Sequence, residues 1–98
     1  MNFNEKVYNL CKKIPKGKIS TYKILANRLN SKAYRAVGNA LNKNPYAPKV
    51  PCHRIVNSQG HLHGFALGLK NKQKLLEKEG IKIKNNKIVD FNKVLYKF

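Results

Sequence analysis

Three prolines at three-residue intervals, Pro45, Pro48 and Pro51, constrain this chain more than any other feature. Proline has no backbone N–H and pushes the preceding residue out of the helical region. The segment therefore cannot be helix and is stiffened into a defined loop. At 98 residues the chain has room for one core, so residues 1–98 read as a single domain with that loop at its middle. Three helix-periodic stretches precede the loop. Phe3, Val7, Leu10, Cys11 and Ile14 recur at helical spacing, so residues 3–13 read as an amphipathic helix ended by Pro15 and Gly17. Cys11 lies on that apolar stripe and reads as a core residue. Ser20 or Thr21 caps a second helix whose apolar face is Tyr22, Leu25, Ala26 and Leu29. The polar break Asn30-Ser31-Lys32 leads into a third helix over roughly 32–42, carrying Ala33, Ala36, Val37, Ala40 and Leu41. Two short helices across a tight polar turn suggest a helix-turn-helix, although many helical hairpins share that pattern.

Beyond the prolines the texture changes. Residues 53–56 read as a short extended piece followed by a turn at Asn57-Ser58-Gln59-Gly60. Residues 69–79 read as a further helix with Leu69, Leu75 and Leu76 apolar and Gly80 as its stop. Ile81-Lys82-Ile83 and Lys87-Ile88-Val89 flank Asn85-Asn86 in a hairpin pattern. Val94, Leu95 and Phe98 let the tail pack back onto the body. The fold class expected is mainly α with a small β hairpin, a winged helix-turn-helix-like single domain.

The charge is as uneven as the texture. Twenty-one Lys and Arg against four Asp and Glu give a formal net charge of +17. The acids are Glu5, Glu77, Glu79 and Asp90, so nothing between Lys6 and Leu76 is acidic, and that stretch carries fifteen Lys and Arg. Paired-carboxylate and two-metal chemistry need several acids in one pocket and are excluded by this distribution. A surplus of cations weakens so small a core and calls for a polyanion, nucleic acid first. The basic residues are not gathered on one long amphipathic face, and no apolar run is long enough to span a bilayer. The N-terminus lacks the apolar stretch of a signal peptide, so the chain is expected in the cytoplasm, where Cys11 and Cys52 stay free thiols.

Pro51-Cys52-His53-Arg54 is the tetrapeptide that carries chemistry. A cysteine nucleophile acts as thiolate and needs neighbours that lower its pKa, typically imidazole and cations. On an extended strand Cys52 and His53 would face opposite sides, so a bridging water or a turn at Cys52 is required. The histidine also needs an orienting carboxylate, and Glu77, Glu79 or Asp90 are the choices. Spacing alone leaves a second reading open, in which Cys52 is a structural thiol.

Five blocks in order give the chain a family resemblance: Ile19-Ser20-Thr21-Tyr22, Arg35-Ala36-Val37-Gly38-Asn39-Ala40, Asn44-Pro45, Pro51-Cys52-His53-Arg54-Ile55-Val56 and Leu75-Leu76-Glu77-Lys78-Glu79-Gly80. Together they resemble the DNA-binding and active-site domain of the O6-alkylguanine-DNA alkyltransferases. The resemblance implies DNA repair by direct damage reversal. A helix-turn-helix enters the minor groove of duplex DNA, O6-alkylguanine is flipped out, and the alkyl group passes irreversibly to a cysteine. It implies Cys52 as that cysteine, His53 as the base acting through a water, Glu79 as the carboxylate orienting the histidine, and Asn44 as the residue shaping the active-site turn. Tyr22 would help rotate the nucleotide and donate towards the leaving guanine. Arg35 would fill the vacated place in the base stack, which suits a planar guanidinium better than any lysine. Thr21, Ala33, Ala36 and Gly38 are expected at the DNA surface, the last three small enough for close approach. Pro51, Phe65, Ala66 and Leu67 are expected around the alkyl pocket.

Two departures from the pattern stand out. Tyr34 occupies a position where relatives usually carry a small residue, and Phe65-Ala66-Leu67 differs from the usual tyrosine-containing loop. The N-terminal domain of many relatives has no counterpart in this sequence. The resemblance also extends to the alkyltransferase-like proteins, non-enzymatic lesion sensors that typically replace the reactive cysteine with tryptophan; here it is Cys52. A basic architectural DNA binder is the third possibility. His61 and His63 form a His-x-His pair without a clear third ligand, so neither a metal nor a cofactor is expected. The expected partner is double-stranded DNA containing O6-alkylguanine, bound by a monomer and without a membrane.

Overall fold

A computed structural model of the chain describes residues 2–43, 51–62 and 68–98. Helix α1 (Phe3–Lys13) starts where the Asn2 side chain accepts a hydrogen bond from the Glu5 N–H at 2.8 Å. Its buried face is Val7, Tyr8, Leu10 and Cys11. Strand β1 (Ser20–Thr21) runs directly into α2 (Tyr22–Arg28), with Thr21 as the cap. Asn30 ends α2 in the left-handed region at φ 55°, while the Asn30 and Ser31 N–H groups donate to the Asn27 and Ala26 carbonyls. This closing pair of bonds turns the chain sharply towards α3 (Tyr34–Asn42). The third helix therefore begins two residues later than its apolar spacing suggests, with Ala33 as the N-cap residue.

A short 3₁₀ helix (Cys52–Arg54) precedes strand β2 (Ile55–Val56), which pairs parallel with β1. The extended reading of residues 53–56 thus holds only for Ile55 and Val56. The Arg54 N–H donates to the Pro51 carbonyl, curling the segment before the strand begins. Helix α4 (Leu69–Lys78) has Glu79 at its C-cap, one residue short of the expected end. Strands β3 (Ile83–Lys84) and β4 (Lys87–Ile88) form the expected hairpin, with Asn85 and Asn86 both at positive φ in the turn. A four-residue helix α5 (Phe91–Val94) follows, an element its short apolar pattern does not announce.

Two apolar clusters meet at the β1–β2 pair. One is built by α1, α2 and α3 and includes Cys11, Leu25, Val37, Cys52 and Ile55. The other holds Ile19, Val56, Leu62, Leu76, Ile81 and Ile88. Successive strand residues face opposite sides, so Ile55 closes the first cluster and Val56 the second. The tail completes this centre: the Ile19 N–H donates to Val94 O and the Tyr96 N–H to Ile19 O. Cys52 and His53, both buried, directly precede β2 at this junction.

Candidate active site

Cys52 is the first residue of the 3₁₀ helix and only 3 % exposed. The segment curls at Cys52, as the sequence required, in place of running on as a straight strand. His53 and Arg54, which a strand would send to opposite faces, both reach one carboxylate. The His53 Nε2–H donates to Glu79 Oε2 at 3.0 Å. Arg54 grips the same group as a fork, Nε donating to Oε1 at 2.8 Å and Nη2 to Oε2 at 2.6 Å. Its third donor, Nη1, meets the Ile14 carbonyl at 2.7 Å and ties the site to the end of α1. Of the three available acids, the structure joins His53 to Glu79.

Glu79 is positioned by the way α4 stops. The Gly80 N–H donates to Glu77 O and the Ile81 N–H to Leu76 O, with Gly80 at φ 90°. Leu76 and Ile81 pack together in the second cluster beneath this cap. The carboxylate thus sits at a helix end whose direction is set by a glycine and an apolar contact.

Electrostatics poise the His53–Glu79 pair. Burial drives the His53 pKa below its ordinary 6.5, and the contact with Glu79 opposes this only in part. Burial would raise the Glu79 carboxyl, but hydrogen bonds from Arg54 and His53 outweigh it and hold the group below 4.5. At neutral pH the pair is a neutral imidazole on a carboxylate. With Nε2 carrying the proton towards Glu79, the buried Nδ1 is the basic nitrogen of the ring.

Tyr22, at the start of α2, is half-buried, and burial pushes its phenol up to about 12. It therefore stays protonated and can donate. Cys52 and Cys11 lie within electrostatic range of it. Cys11 is buried in the core, where burial raises its thiol pKa, so it remains an inert thiol as its place on the apolar stripe implies.

The other candidates fall on the neighbouring surface or outside the described residues. Arg35 and Ala33 are exposed, while Ala36 and Gly38 are half-buried on α3. A Cβ at Gly38 would meet nothing within 4 Å, so that face is open for close approach. Thr21 differs from its expected place at a DNA surface: it is buried, and its Oγ1 accepts from the Ile24 N–H at 3.1 Å as the cap of α2. Pro51 is buried beside Cys52. Asn44, Phe65, Ala66 and Leu67 lie outside the described residues. Among the described residues no three His, Cys, Asp or Glu side chains gather to hold a metal.

Two contributors go beyond the sequence reading. Arg54 is a clamp on Glu79 rather than simply a cation near the thiol. Lys72 is 0 % exposed, its Nζ donates to the Ile55 carbonyl, and Cys52 and Cys11 lie within its electrostatic range. Burial lowers its pKa to about 8, with the thiols opposing. The available signal was its spacing: Leu69, Lys72 and Leu76 share one face of α4, and a cation on an apolar stripe is out of place there.

Fold and site define a class, a helix-turn-helix domain with a buried cysteine next to a histidine–glutamate pair. Residues 2–81 match the family described as 6-O-methylguanine DNA methyltransferase, DNA binding domain, and the chain belongs to that family. It is 48 % identical over 82 residues to the methylated-DNA–protein-cysteine methyltransferase of Sulfolobus acidocaldarius, covering 84 % of this chain and 52 % of the relative. A methyltransferase of the same name from Methanosarcina acetivorans is 48 % identical over 79 residues, covering 80 % and 51 %. The chain thus spans about half the length of these relatives. Among solved structures, S. pombe Atl1 in complex with damaged DNA containing O6-carboxymethylguanine superposes with a TM-score of 0.86 at 29 % identity, over 98 % of this chain and 95 % of that one. Mycobacterium tuberculosis OGT in complex with DNA gives 0.77 at 38 % identity, over 81 % and 50 %.

Proposed function

We propose that this chain repairs O6-alkylguanine in duplex DNA by moving the alkyl group to Cys52. The observation that carries the reading is a buried Cys52 directly preceding His53, whose ring contacts Glu79 while Arg54 holds that carboxylate in place. Helix α3 approaches the minor groove, and the lesion-bearing nucleotide leaves the stack to reach the buried thiol. Arg35 occupies the vacated place. The Cys52 proton passes to the basic side of His53, whose imidazolium the Glu79 carboxylate stabilises. Sγ then attacks the alkyl carbon, an S–C bond forms, and the C–O6 bond breaks with its electron pair leaving on the guanine. Tyr22 supports that departure by donating a hydrogen bond. In the balance the proton lost by the thiol is regained by the guanine, and Cys52 becomes a thioether. A thioether has no easy return, so one molecule repairs one lesion. Free thiols suit a reducing, cytoplasmic setting.

Incubation of the reduced protein with duplex DNA carrying O6-methylguanine should add one methyl mass to the peptide containing Cys52. Folded protein that binds this DNA and gains no mass would overturn the transfer. The second reading is a lesion sensor without chemistry, and the near-complete superposition on Atl1, a protein bound to damaged DNA, supports lesion binding under either reading. It predicts tight lesion binding with an unmodified Cys52, so the same experiment separates the two.

A further inference from the structure

Tyr34 and Arg35 open α3 side by side, and both are exposed. Among the described residues Tyr34 and Leu69 are the large apolar side chains left in solvent, at 42 % and 43 % exposure. A single exposed aromatic is ordinary. The placement of Tyr34 is what matters. The Ala33 N–H donates to Ser31 Oγ and the Tyr34 N–H to Lys32 O, both at 2.9 Å, so a tight turn sets how the helix begins. Val37, Ala40 and Leu41 are the buried residues of α3. At about 100° per residue, Arg35 then lies directly away from the core and Tyr34 on the adjoining flank. Gly38 follows Tyr34 by one turn on that flank, and a Cβ there would meet nothing within 4 Å. A planar ring and a planar guanidinium thus stand beside open space at the head of one helix. No side-chain hydrogen bond, ion pair or ring contact within the described residues occupies either of them.

We propose that Tyr34 is a base-stacking residue, its ring packing on a base that the opened stack exposes next to the vacancy, on the side that Arg35 leaves uncovered. This rests on the reading of α3 as the helix that faces DNA. An unstacked base presents an apolar face to water, and an aromatic ring covers that face whatever the base identity. A paired and fully stacked duplex offers no such face. Tyr34 therefore discriminates an opened helix from a closed one, adding selectivity without reading sequence. Phosphate contacts from lysines cannot do this, since they are equally available on both duplexes.

The test compares two duplexes of one sequence, one intact and one with an abasic site opposite cytosine, which supplies the vacancy without any chemistry. Fluorescence anisotropy with Tyr34→Ala should show about a tenfold loss on the abasic duplex and a loss within about twofold on the intact one. Tyr34→Phe should bind as the wild type does. The chain contains no tryptophan, so Tyr34→Trp supplies a single indole whose emission should be quenched more by the abasic duplex than by the intact one. Equal losses on both duplexes, no loss on either, or Tyr34→Phe behaving like Tyr34→Ala would each overturn the stacking role. Failure of the reading beneath it looks different. There the wild type itself would bind abasic, O6-methylguanine and intact duplexes alike and transfer no methyl group, whatever residue stands at 34.

Discussion

Glu79 serves two neighbours at once, and the site depends on that sharing. Its contact with His53 fixes which ring nitrogen stays basic, while the Arg54 fork fixes where the carboxylate points. His53→Ala should slow single-turnover methyl transfer about 100-fold, the range for a positioned general base, without abolishing it. Cys52→Ala should abolish transfer and leave lesion binding. Arg54→Lys keeps a positive charge and loses the fork, so it should slow transfer less than His53→Ala does. The same pair makes the fold sensitive to acid. Burial lowers His53 from 6.5, so the native state resists protonation, and its contribution to stability is present above 6.5 and fades as pH falls below that value. Glu79 is held below 4.5, so its contribution is intact above 4.5 and lost as pH falls through its native value. Both shifts have one sign. The melting temperature should fall steadily from neutral pH down through 4.5, and His53→Gln should flatten the upper part of that fall; a wild-type melting temperature constant over this window would contradict the assignment.

At the scale of elements, positions are set by the way helices begin and end. Gly80 lies at φ 90° with open space where a Cβ would go, so Gly80→Ala meets conformational strain alone and should cost about 1 kcal/mol in chemical denaturation. Because Gly80 adjoins Glu79, the transfer rate should also drop, which a remote helix-cap variant of equal cost would not reproduce. Such a control is Asn2→Ala, which removes the side-chain cap of α1 and should also cost about 1 kcal/mol. These boundaries explain what was legible beforehand. Cap and stop residues such as Thr21 and Gly80, and the Asn85-Asn86 turn, act through local backbone chemistry, so α1, α2 and the hairpin could be read directly. The curl at Cys52 could be stated only as a requirement, because it follows from Pro51 O and from a carboxylate more than twenty residues away. The β1–β2 pairing and α5 depend on long-range contacts to residues such as Leu95, and two- to four-residue elements leave too short a pattern. Buried Lys72 was hidden for the opposite reason, since one more lysine among so many looks like solvated surface.

Across the whole molecule, the charge divides into two kinds of work. The acid-free stretch from Lys6 to Leu76 contains both helices of the helix-turn-helix, and the carboxylate the site uses, Glu79, stands just beyond it. Within that stretch Arg54 and Lys72 are drawn inward to hold the site, and most of the other cations remain on the surface. Surface cations attract phosphate by releasing counterions, so their contribution to binding is steeply salt-dependent and blind to lesions. Six phosphate contacts would weaken binding about a thousandfold between roughly 50 and 200 mM salt. The proposed function gives Arg35 a different task, filling a place in the base stack. Arg35→Ala should therefore reduce the preference for lesion-bearing over intact duplex while changing the slope of log K against log salt by at most about one contact. Lys23→Ala, at an exposed position on α2, should do the reverse, lowering affinity for both duplexes alike and reducing the slope by about one. Titrations of both variants across a salt series decide the matter: if Arg35→Ala lowers both affinities in parallel and leaves the lesion preference intact, Arg35 is one more phosphate contact and α3 carries no wedge.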